Sequence, residues 1–145
     1  MLFHLPKFPA EIRVSHLNAR LNEQRKKIAQ ATSSRLELLQ LMQQLVKEAK
    51  ARKKNDQKIF VLDFKGDIQA SAADTLREEI TLILATAKAG HDRVVVRLES
   101  PGGMVHGYGL AAAQLVRLRD AGFNLTICVD KVAASGGYMM ACIAN

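Results

Sequence analysis

Apolar residues recur every three or four positions along the first third of the chain, at Val14, Leu17, Leu21 and Ile28, then at Leu38, Met42, Leu45 and Ala49. That spacing gathers them on one side of a helix, and two amphipathic helices are predicted between about residues 11 and 54. The break falls at Thr32-Ser33-Ser34. Ser34 and Glu37 have capping-box spacing: the hydroxyl accepts from a first-turn amide while the carboxylate reaches back to the amide of the cap. The second helix runs out into KEAKARKKNDQK, which reads as a solvated linker.

The pattern changes at Ile59. IFVLDF is a continuous apolar run, too short for a buried helix and rich in branched and aromatic residues, so a strand is predicted and a domain boundary is set in front of it. Residues 1–58 then form a helical region with its linker, and residues 59–145 a folded domain. Ser71 with Asp74 opens a helix that buries Leu76, Ile80, Ile83, Leu84 and Ala87 and stops at Gly90. RVVVRL supplies a second strand and ESPGG turns the chain. A helix over 105–121 offers Leu110, Ala113, Leu118 and Ala121 for burial; a strand over 125–129 and a further helix from about Ser135 follow. Strands and helices alternate with crossovers long enough for parallel pairing, which predicts an α/β domain with a parallel sheet and right-handed connections.

Charge sharpens the boundary. Residues 1–58 hold 13 Lys and Arg against 5 Asp and Glu, a net +8, whereas residues 59–145 hold 8 against 9, a net −1. Basicity confined to one end, with aromatics at 5% and no Trp, argues against a nucleic-acid-binding domain. The basic helices suit an anionic membrane surface, and they suit equally a solvated stalk with no specific partner. No run reaches the roughly 18 apolar residues of a spanning helix, and MLFHLPKFPA is too short and too broken by proline for an ordinary signal peptide. Cys128 and Cys142 lie in apolar surroundings without metal or redox spacing and read as buried free thiols; no cofactor or metal is expected.

The chemistry is expected beyond the carboxyl ends of the strands, where SPGG at 100–103 and VAASGG at 132–137 fall. Paired glycines let the backbone approach a ligand and aim N–H groups at it, so Gly102 and Gly103 are candidate oxyanion donors. Ser135, between a strand and a helix, would hold its hydroxyl near the positive helix end with the Gly136 N–H beside it, as a nucleophile requires. The other reading of Ser135 is a helix cap. Ala133 stands where the hydrolase elbow G-x-S-x-G has its first glycine, so that motif lends no support.

ESPGGMVHGYGLA and DKVAASGGYMMA resemble the two signature segments of the signal peptide peptidase A and SohB family of serine peptidases. The resemblance extends over 60–145, including VLDFKG and LREEI, and more weakly over EIRVSHLNARLNEQ. It implies Ser135 as nucleophile, Gly136 and Gly103 as oxyanion donors, and residues 59–145 as the first part of a catalytic domain with an incomplete ClpP/crotonase-like spiral of βα units. It further implies peptide or unfolded protein substrates, a bacterial inner-membrane location, a homo-oligomer when complete, and an N-terminal membrane anchor that is expected to be absent here, Met1 to Ala10 standing in its place. The family's base is a lysine well downstream of the serine, so the chain as written is expected to lack its base, to be inactive, and to behave as a loose or aggregating fragment. Lys131 and His106 are the substitutes present, and neither is the residue the family uses. A non-catalytic relative that binds peptides in the same cleft is the rival function, and an acyl-CoA enzyme of crotonase type, which would not need Ser135, is a third.

Overall fold

A computed structural model describes residues 12–54 and 56–145. Two compact units divide it, Arg13–Asp56 and Gln57–Asn145. The first is a helical pair, α1 (Leu17–Thr32) and α2 (Arg35–Lys54). The predicted capping box forms: the Ser34 N–H donates to Glu37 Oε2 at 2.7 Å and the Glu37 N–H donates to Ser34 Oγ at 3.4 Å. Ala29 and Leu45 are the buried contacts. Val14, Leu21, Ile28 and Met42, expected on the buried faces, are exposed, and residues 12–16 precede the helix instead of starting it. Two helices have too little mutual surface to cover both apolar stripes. The basic run that reads as a linker continues α2 to Lys54. Among the described residues no helix is long and apolar enough to cross a membrane, and Met1 to Ala10 lie outside them.

The second unit alternates strand and helix as predicted: β1 (Ile59–Lys65), α3 (Ala73–Thr86), β2 (Arg93–Ser100), α4 (Val105–Asp120), β3 (Asn124–Ala133) and α5 (Gly136–Ala141). The three strands form one parallel sheet in the order β1-β2-β3, with Leu62 opposite Val96 and Val94 opposite Leu125. Successive side chains of a strand face opposite ways. Leu62 and Phe64, Val94, Val96 and Leu98, and Leu125 therefore enter one core, where they meet Leu76, Ile80 and Ile83 of α3 and Tyr108, Leu115 and Leu118 of α4. On the other face Arg97 forms a two-pronged ion pair with Asp63 of the neighbouring strand, and Cys128 is exposed, contrary to its expected burial. Its position in β3 alternates with the buried Leu125 row, so the pleat, not its apolar neighbours, decides its side. Cys142 is exposed as well, on the helix turn after α5.

Buried Asp92 ties this frame together. Its carboxylate accepts from the Lys58 N–H at 2.8 Å and the Lys88 N–H at 2.9 Å, joining the start of β1 to the turn before β2. Those amides hold its carboxyl below the usual aspartate range, Lys88 contributing most. Ser71 does not cap α3. Its N–H and hydroxyl both donate to Asp67, and the helix begins two residues later at Ala73. The exposed Asp67 carboxyl is lowered in turn, first by the Ser71 hydroxyl.

Candidate functional site

β3 outruns its predicted end. Leu98 pairs with Val129 but Ser100 pairs with Ala133, so β3 carries extra residues in a bulge before the strands rejoin. The Ala134 N–H then donates to the Ser100 carbonyl at 3.0 Å. This brings the two suspected loops together at the carboxyl ends of neighbouring strands.

Ser135 occupies the turn between β3 and α5 with φ 49° and ψ −116°. This is a left-handed conformation that costs an L-residue on the order of 1–3 kcal/mol and persists only where its surroundings impose it. Its hydroxyl makes no capping hydrogen bond, so the role of helix cap is not performed. The side chain is exposed. The turn joins a strand to a helix and presents the serine at its tip, without the first glycine of the G-x-S-x-G motif.

Gly102 faces this turn. At φ 88° its conformation favours glycine, and a Cβ there would lie 2.7 Å from both the Ser135 Cβ and the Ala134 carbonyl oxygen. The Gly102 N–H is already used, donating to Ser100 Oγ at 3.1 Å. Gly103 packs against the backbone of Ile68, whose carbonyl accepts from the Met104 N–H at 2.8 Å. Among the described residues the N–H groups of Gly103 and Gly136 have no acceptor. Gly102 therefore shapes the loop, and Gly103 and Gly136 carry the free donors.

Neither substitute base is engaged with the serine. Lys131 Nζ pairs with Glu99 at 3.1 Å, and His106 sits exposed in the first turn of α4 without a hydrogen bond to Ser135.

Beneath the loops lies a buried polar pair that the sequence pattern did not single out. Tyr108 Oη donates to the Asp67 carbonyl at 2.8 Å, so the 2.6 Å contact between Tyr108 Oη and Ser100 Oγ takes its proton from Ser100. Both side chains are fully buried. Of the face expected for α4, Leu118 is buried, but Leu110, Ala113 and Ala121 are exposed, and the buried row is Tyr108, Ala111, Ala112, Leu115 and Leu118. Ala, Gly and Leu of α4 itself are spread around the helix, so apolar spacing alone leaves the face undecided. The ring of Tyr108, stacked edge-on to Phe64 with centroids 6.2 Å apart, decides it.

Residues 6–115 match the model of the N-terminal part of peptidase family S49, a stretch that contains the SPGG loop and ends before Ser135. The chain belongs to that family. Its relatives include the "Probable protease SohB" of Buchnera aphidicola from Acyrthosiphon pisum, 61% identical over 93 residues that make up 64% of this chain and 27% of the relative. The protein of the same name from Haemophilus influenzae is 63% identical over 87 residues, 60% of this chain and 24% of the relative. The matched stretch thus spans about a quarter of the length of these relatives.

Proposed function

We propose that the chain carries the nucleophile and the oxyanion donors of a serine endopeptidase. The observation that carries this reading is Ser135 in a strained turn, its hydroxyl exposed and making no cap hydrogen bond, with the amides of Gly136 and Gly103, which have no acceptor among the described residues, on its own and the facing loop. In this reading Ser135 Oγ attacks the carbonyl carbon of a peptide bond, and the Gly103 and Gly136 N–H groups stabilise the negative oxygen that forms. A serine hydroxyl is protonated at neutral pH, so attack requires a base within hydrogen-bond reach. Lys131 pairs with Glu99, and the base in this reading is the lysine downstream of the serine that the family resemblance implies, forming a Ser-Lys dyad whose ammonium is deprotonated by desolvation. The order of the βα units, the parallel sheet and membership of family S49 support a ClpP/crotonase-like spiral as the complete fold.

The substrates in this reading are peptides or unfolded chains, and the complete protein is an oligomer at the bacterial inner membrane. The net +8 of residues 1–58 favours an anionic surface for the helical region. The test is peptide hydrolysis by the full-length protein. Ser135→Ala is expected to abolish it, and hydrolysis that survives the substitution would remove the serine from the mechanism.

A further inference from the structure

We infer that Tyr108 and Ser100 form a positioning pair that sets the oxyanion donors, an inference that rests on the serine-peptidase reading of the same site. The pair connects the loops following all three strands. Tyr108 holds the loop after β1 through the Asp67 carbonyl, and Ser100 holds the loop after β2 by accepting the Gly102 N–H. The turn after β3 is held by packing. A Cβ on Gly136 would collide with the Tyr108 ring, 2.6 Å from its Cβ, and one on Gly137 would lie 2.9 Å from the Ser100 Cβ. Gly66 closes on the same two hydroxyls from the β1 side.

The hydrogen bonds run in one direction, from the Gly102 N–H to Ser100, from Ser100 to Tyr108, and from Tyr108 to the Asp67 carbonyl. The chain is saturated in its donors, which fixes the rotamer of each hydroxyl. Gly136, one proposed donor, rests on the ring, while Gly103, the other, directly follows the amide that Ser100 holds. Neither Tyr108 nor Ser100 needs to touch substrate. Their effect is to keep both amides at one separation and aim, and oxyanion donors count only if they are set before charge develops.

The experiment compares Tyr108→Phe, Ser100→Ala and the double variant with Ser135→Ala in the full-length protein, well below the melting temperature and normalised to folded protein. Tyr108→Phe keeps the ring against Gly136 and deletes only the bonded oxygen. The expected result is a fall in kcat of about 10–100-fold with KM within about twofold, and an equal rise in the Ki of a peptide aldehyde, whose adduct bears the oxyanion. The double variant is expected to lose no more than the worse single one, because both break one chain. Unchanged kcat and aldehyde affinity in Tyr108→Phe, with Ser135→Ala dead, would overturn the positioning role and leave the nucleophile standing. If Ser135→Ala stays active, the serine reading falls and this inference with it. Should Tyr108→Phe fail to fold, Ser100→Ala carries the same comparison.

Discussion

Gly102 and Ser135 sit in mutual contact across two loops that are 33 positions apart in sequence, so close that a methyl group on Gly102 would lie 2.7 Å from the Ser135 Cβ. The strand register makes this contact possible. Ser100 meets Ala133 only because β3 bulges, and each loop begins where its strand ends. The missing side chain of Gly102 leaves the Ser135 turn the space it occupies.

Gly102→Ala tests that dependence. The substitution places an L-residue at φ 88° and pushes on the Ala134 carbonyl, so the serine turn must shift. A misplacement near 1 Å costs a reacting group about 100-fold. Peptide hydrolysis by the full-length protein should fall by at least that factor. Gly109→Ala is the control: a Cβ there meets nothing within 4 Å and the residue lies inside α4, so stability should rise by about 0.5–1 kcal/mol in a denaturant melt.

Ser135→Gly should stabilise the protein while abolishing activity. Glycine adopts φ 49°, ψ −116° without a Cβ penalty, and relief of the strain outweighs the extra chain entropy by about 1 kcal/mol. Ser135→Ala keeps the strain and should leave stability unchanged. A rise in the melting midpoint for the glycine variant and none for alanine is the expected pair of results.

Much of this arrangement is legible in the chain itself. The run of β-branched residues at Val94, Val95 and Val96 and the apolar period of α3 locate their elements because propensity, pattern and burial agree there. SPGG and VAASGG mark the two loops because paired glycines after a strand have few other uses. What could not be read is decided by distant contacts. Tyr108 joins Ser100 across eight positions and Asp67 across 41, and neither partnership leaves a local trace. Glycine spacing alone leaves Gly102 and Gly103 as equal candidates and only the family resemblance prefers Gly103; that Ser100 takes the Gly102 amide is not legible in the chain. Ser71 has the spacing of a cap, yet Asp67 captures it first.

Asp92 should govern acid stability. Its carboxyl is lowered in the folded state, chiefly by the Lys88 amide, so its contribution is fully present above the ordinary aspartate pKa near 3.9 and is lost as pH falls through the lower folded value. Asp92→Ala leaves the Lys58 and Lys88 amides without this acceptor and should cost about 2–3 kcal/mol at neutral pH. The gap from the parent protein should narrow as the pH of the melt is taken below 4, roughly the unfolded aspartate value.

If Ser135 is a nucleophile flanked by oxyanion donors, a fluorophosphonate should modify it, and adduct mapping reads that reaction at the residue itself. The full-length protein is treated with the probe and digested, and the modified residue is located by mass spectrometry. A stoichiometric adduct on Ser135, lost in Ser135→Ala and slowed in Gly102→Ala, is the predicted result. A peptide-hydrolysing preparation that leaves Ser135 unmodified, or is labelled at another serine, would contradict it.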